Sequence, residues 1–176
     1  MPRRQSGRGF TLIELLVVVA IVGVLAVLAL PSMRDLVMTS RMKTVSLDLY
    51  TSLTLARSEA VKRNTGNVSM IAEAAGWQDG WKVCYDANAN GVCDTAEPLL
   101  ITGDAIAAGT GITLTGPAGN IVTYNRDGRL ATASASFKIT AGTNNVQVPM
   151  RCVDLNSSGR ANTRVDTNHT DSDGCN

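Results

Sequence analysis

Residues 9–30 read GFTLIELLVVVAIVGVLAVLAL, and this stretch decides how the rest of the chain is to be read. From Phe10 onward the run is long enough to cross a bilayer, which takes about 20 apolar residues, and one carboxylate, Glu14, interrupts it. A carboxylate in hydrocarbon is costly and marks a function and a partner. Arg3, Arg4 and Arg8 precede the run and no comparable basic cluster follows it. That asymmetry places the amino terminus in the cytoplasm and everything beyond the run outside it. A secretory signal peptide would have a shorter apolar core closing on small residues at its cleavage site. Here the run ends at Leu30-Pro31-Ser32 and a helical pattern continues.

Through Ser32 to Asn64 the residues Met38, Met42, Val45, Leu49, Leu53, Ala56 and Ala60 recur every three or four positions, which is one face of a helix in need of a partner. Pro31 removes a backbone donor near the middle, so a kink is expected there. Beyond Asn64 the pattern changes to short β-type segments separated by Gly, Asn and Asp. Strands are expected near 67–72, 81–85, 99–102, 111–115, 120–124, 137–140, 146–153 and 160–165, with a turn at Asn125-Arg126-Asp127-Gly128. Helix first and sheet afterwards is the α+β class, with the helix packed on an antiparallel sheet.

The formal charge of +1 includes the three arginines ahead of the run; without them 13 basic residues face 15 acidic ones. Nucleic-acid binding would therefore need a local patch. All four cysteines, Cys84, Cys93, Cys152 and Cys175, follow the apolar run, an even number suited to an oxidising compartment. Four cysteines allow three pairings, of which the short loops Cys84 with Cys93 and Cys152 with Cys175 cost least closure entropy. Zinc is disfavoured, because no C-x-x-C pair is present and the only histidine, His169, lies in a polar tail. Catalysis finds no support: there is no G-x-S-x-G, no Gly-rich phosphate loop and no HExxH.

The segment Gly9-Phe10-Thr11-Leu12-Ile13-Glu14-Leu15 resembles the processing motif of type IV prepilins and type II secretion pseudopilins. The resemblance implies that a prepilin peptidase cuts between Gly9 and Phe10 and methylates the new amine of Phe10. A glycine before the cut admits a protease close to the backbone. It further implies that Glu14 pairs with the Phe10 amine of its own or a neighbouring subunit as helices, bent at Pro31, pack into a filament. Leu53 to Arg63, then Trp77 to Trp81, then Gly159-Arg160 resemble the GspH/FimT group of minor pilins and pseudopilins. From this follow a type IV pilin-like fold and four zones: a cleaved leader (1–9), a single-pass inner-membrane and assembly helix (10–31), its amphipathic continuation (32–64), and a periplasmic head (65–176). The partners implied are other pilin subunits, the peptidase and the inner membrane, with a type II secretion pseudopilin as the alternative to a pilus subunit.

Two further patterns carry chemistry. Asp86, Asn88, Asn90, Val92 (by its carbonyl), Asp94 and Glu97 fall at the ligand positions of an EF-hand-type calcium loop, with Gly91 at the sharp turn. The flanks look like strands rather than helices, so a long hairpin loop held by a Cys84–Cys93 bridge is an equal reading. In the tail, Arg151, Arg160 and Arg164 gather. DNA-uptake members of the group carry a Gly-Arg-x-Arg element there, which this chain keeps at Gly159-Arg160 and departs from at Asn162. Such arginines would give weak, salt-sensitive contacts to double-stranded DNA phosphates, opposed by Asp154, Asp166, Asp171 and Asp173.

Overall fold

The computed structural model describes residues 9–64, 66–142, 146–170 and 174–175, without the side chains of residues 28–31. The leader arginines, Asp171 and Asp173 lie outside the described residues. One helix, α1 (Leu12–Arg63), dominates the first third of the chain. Thr11 caps it, and it closes on Asn64, whose left-handed backbone (φ 53°) returns its N–H to the carbonyls of Ala60 and Val61. Between the arms Leu12–Val27 and Ser32–Arg63 the axis bends by 41°, over the segment containing Pro31. Among the described residues no single straight helix has the length and hydropathy of a membrane span, while the two arms together do.

Eight strands follow: β1 (Val68–Glu73), β2 (Gly76–Tyr85), β3 (Leu99–Gly103), β4 (Thr113–Thr115), β5 (Ile121–Tyr124), β6 (Ala135–Thr140), β7 (Arg151–Leu155) and β8 (Ala161–Val165). They form two four-stranded antiparallel sheets, ordered β3-β2-β1-β5 and β4-β6-β7-β8, where the sequence suggested a single one. Strand periodicity reports which face is buried but not which neighbour is paired, so the division is invisible in the pattern. β2 begins earlier than expected because its register against β1 jumps from Ala72↔Trp81 to Glu73↔Gly76, looping four residues out of the pairing. β7 begins later, at Arg151, just after Pro149, which has no N–H to give a ladder.

The second arm of α1 lays Met42, Leu49, Leu53, Ala56 and Ala60 against both sheets, meeting among others Val68, Val83, Val122, Phe137 and Leu155. Trp77 and Trp81 belong to this core. Phe137 meets Trp77 edge to face at 4.8 Å, and the Trp81 indole N–H donates to Ser52 Oγ on α1 at 3.0 Å, satisfying two buried polar groups together. The cysteines pair as Cys84–Cys93, at the edge of the loop after β2, and Cys152–Cys175, which ties the last residues to β7.

Candidate functional site

At the amino-terminal end, Gly9 and Phe10 stand outside α1 and both are exposed, Phe10 by 92%. A Cβ placed on Gly9 would meet nothing within 4 Å, so the Gly9-Phe10 bond is open to an enzyme. The helix begins only after it, and the reason is local. Glu14 Oε2 accepts from the Thr11 N–H and hydroxyl, each at 2.8 Å, while the Glu14 N–H donates to Thr11 Oγ1 at 3.3 Å. This reciprocal capping box satisfies orphan donors of the first turn. In the uncleaved chain the partner of Glu14 is thus Thr11, two residues past the bond that the resemblance marks for cutting. From Leu12 to Val27 the apolar side chains of α1 lie exposed, with no cover from the head.

The candidate arginines do not gather into one site. Arg164 Nε donates to Asp154 Oδ2 at 2.7 Å, and Arg151 is half-buried at the start of β7, its Nε without a hydrogen-bond partner among the described residues. Arg160 alone faces α1, where it lines a groove of about 640 Å³ with Tyr50, Arg57, Val61 and Lys62. The sequence offered no sign that Arg57 and Lys62 belong with Arg160, because the two regions are a hundred residues apart and meet only through a glycine junction. Gly128 (φ 74°) and Gly159 (φ 77°) turn in the left-handed region, and a Cβ on Gly159 would strike the Gly128 carbonyl oxygen. That same oxygen accepts from Arg57 Nε at 3.0 Å. Glu59 holds Lys62 at 3.1 Å and Arg63 at 3.0 Å, and these two cations keep its carboxyl below the usual range.

A second concavity of about 250 Å³ lies lower on α1, where Asp48 and Asp104 stand at its rim over Trp81 and Ile112, with Arg41 alongside. Partial burial, and then the neighbouring Asp104 charge, push the Asp48 carboxyl up. Nothing in the sequence pattern joins these aspartates, one on the helix and one after β3.

The 86–97 loop is held by its own donors. Asp86, 3% exposed, accepts from the N–H groups of Asn90 at 3.0 Å and Gly91 at 2.9 Å. Glu97 accepts from Ala87 N–H at 2.8 Å and Asp94 N–H at 3.1 Å, and Asp94 Oδ2 accepts from the amides of Asn88 and Asn90. The side chains of Asn88 and Asn90 each accept a backbone N–H two residues on, the Asx-turn habit that suits these residues to loops. Among the described residues no group of three or more His, Cys, Asp or Glu converges as a metal site. The calcium reading of this loop assigns Asp86, Asn88, Asn90, Asp94 and Glu97 with the Val92 carbonyl, and all five of these side chains use their oxygens in hydrogen bonds within the loop itself. His169, in the polar tail, is half-buried with a left-handed backbone (φ 58°).

Comparison with known proteins covers both ends of this architecture. Residues 46–159 match the family described as "Type II transport protein GspH", and residues 4–30 match the prokaryotic N-terminal methylation motif. The pilin-like protein PilA1 of Thermus thermophilus is 40% identical over 101 residues, 56% of this chain and 60% of that one. The fimbrial protein EcpC of Eikenella corrodens is 54% identical over 39 residues, 22% of this chain and 26% of that one. The chain thus spans less than two thirds of these relatives. In three dimensions it is similar to the crystal structure of the type IV minor pilin FimU of Pseudomonas aeruginosa, with a TM-score of 0.57 at 20% identity, covering 78% of this chain and 96% of that one. At that identity the likeness establishes the fold.

Proposed function

The chain belongs to the GspH family, a family of structural pilin-type subunits, and from that premise we propose that it is a minor type IV pilin. A prepilin peptidase cuts it between Gly9 and Phe10 and methylates Phe10; α1 then anchors it in the inner membrane, head outside, until it joins or primes a pilus. One observation carries this reading. The Gly9-Phe10 bond is exposed and unhelical directly before a capped helix whose first arm finds no cover in its own chain. Cutting there costs no helical hydrogen bond, and the new amine of Phe10 lies within reach of Glu14, a better partner for a carboxylate than a hydroxyl and an amide.

Mass measurement of the mature amino terminus, with and without a co-expressed prepilin peptidase, tests the cut. Glu14→Ala is expected to be processed normally yet to fall about tenfold or more in the sheared surface filaments, since a lost charge pair of about 1.4 kcal/mol already gives that factor. Normal incorporation of the variant would remove Glu14 from its assigned role.

The family's own description, a type II transport protein, favours a second reading as a minor pseudopilin of a secretion machine. Deletion scored for pilus number and for exoprotein release separates the two. A DNA-binding head draws support from the Arg160 groove, although Arg164 is already held by Asp154. Gel shifts with short duplex DNA at low salt, lost on combining Arg160→Ala with Arg164→Ala, would support it; no shift by the unaltered protein would end it.

A further inference from the structure

Just past the bend, the exposed face of α1 gains charge. Met33, Leu36 and Val37 are still exposed, and the rim of the head reaches α1 at Met38 and Thr39. There the Thr39 hydroxyl donates to the Gln147 carbonyl at 3.1 Å, and a Cβ on Gly111 would lie 3.3 Å from the Met38 methyl. Arg34 and Arg41 are seven residues apart, and at about 100° per residue they return to within about 20° of one another, on one face. With Met33, Val37 and Met38 they line an open concavity of about 360 Å³. Both arginines are exposed, and neither belongs to an ion pair among the described residues. Side chains on a helix lean toward its amino terminus, so this pair leans toward the apolar arm.

Depth and charge point the same way. Counted from Phe10, about 20 residues fill the hydrocarbon of a bilayer, and a headgroup layer of about 5–7 Å takes in roughly the next three to five. Arg34 falls in that layer, and Arg41 stands about 10 Å farther along the helix. Residues 32–47 hold three cations, Arg34, Arg41 and Lys43, against one carboxylate, Asp35. The segments that border this rim, 105–112 (AIAAGTGI) and 146–150 (VQVPM), contain no charged residue. Asp48, about two turns above Arg41, forms no ion pair with it.

We infer that this face is a site for an anionic phospholipid of the outer leaflet, its phosphate held by Arg34 and Arg41 and the start of its acyl chains against Met33 and Val37. Two observations select this occupant. Paired guanidinium groups are complementary to a phosphate, and they stand where α1 leaves its bare apolar arm, at the depth of lipid phosphates. A lipid held there sets the height of the head, with the uncharged rim against the headgroups. This inference rests on the membrane-anchored pilin reading above, from which it takes the depth of α1.

The test uses the mature chain, co-expressed with a prepilin peptidase so that Arg3, Arg4 and Arg8 are gone. It is purified in nonionic detergent with equal amounts of phosphatidylglycerol and phosphatidylcholine, and native mass spectrometry counts the lipids retained. At about fivefold per basic side chain, phosphatidylglycerol is expected to exceed phosphatidylcholine about twenty-fivefold. Arg34→Ala or Arg41→Ala should each lower that ratio about fivefold, and the two together should bring it near parity. Arg34→Lys with Arg41→Lys should keep most of it, and Lys43→Ala, about half a turn away from both arginines, should leave it unchanged. Equal retention of the two lipids, or a ratio unmoved by the double alanine variant, would overturn the inference. Displacement of the bound phosphatidylglycerol by inorganic phosphate would also overturn it, as the mark of a site for the free anion. Alkaline extraction of cell membranes separates this outcome from the reading beneath it: a chain retained in the membrane without lipid preference leaves the pilin reading intact, whereas one released into the soluble fraction overturns both.

Discussion

Between Leu12 and Val27 the apolar side chains of α1 are exposed, Leu15 by 64% and Val18 by 55%, whereas on the second arm Met42, Leu49, Leu53, Ala56 and Ala60 are each at 0%. Backbone and hydrogen bonding are the same in both arms. What differs is the origin of the cover. The second arm is amphipathic and its apolar stripe meets two sheets of the same chain, so its burial is part of folding. Apart from Glu14 the first arm is apolar all round, as a helix surrounded by lipid or other helices is. One helix therefore serves two equilibria, folding above the bend and assembly below it.

The sharpest way to break that comparison is to truncate the same residue type on each arm. Leu53→Ala should cost the head about 2–5 kcal/mol, as large-to-small changes in a packed core do, while Leu16→Ala should leave head melting unchanged within about 0.5 kcal/mol. Thermal unfolding of the full chain in detergent, followed by near-ultraviolet dichroism, reads both. Equal effects would mean that the first arm also packs on the head.

A smaller loss is expected where the sheets close around the helix. Gly159→Ala places a methyl against the Gly128 carbonyl and forces a left-handed alanine, so stability should fall by about 1–3 kcal/mol. With it the Arg57 hydrogen bond to that carbonyl should loosen, seen as faster amide exchange at Gly128 and its neighbours.

The smallest effect has the opposite sign. The Asp48 carboxyl is pushed up in the folded chain, so the charged form is the one that folding disfavours. Its cost is absent at pH below the ordinary carboxylate range, grows between the ordinary and the folded value, and is complete above the latter. Asp48→Asn should therefore stabilise the head at neutral pH by a few tenths of a kcal/mol, a gain that vanishes in acid.

Much of this was legible in residue order. The period of Met38 to Ala60 named the buried face of α1, and each expected strand has its counterpart, because alternation and turn residues are local signals. The bend near Pro31 followed from a missing donor. Three things were not legible. The split into two sheets depends on pairing, which hydrophobic pattern does not encode. The reciprocal cap between Thr11 and Glu14 depends on where the helix starts, which an apolar run continuing from Phe10 does not mark. The groove joining Arg57 and Lys62 to Arg160 depends on two glycine turns meeting, a long-range event with no periodic signature. Trp77 and Trp81 illustrate the same limit: their partners, Phe137 on the other sheet and Ser52 on the helix, come from distant parts of the chain.

The bridge between Cys152 and Cys175 has a mechanical side. Tension applied to the chain by its carboxyl end would pass across the sulfurs directly into β7 instead of along the intervening chain. The sequence separation of 23 residues is thereby taken out of the load path, concealing about 80 Å of contour length that a tug cannot spool out while the bridge is intact.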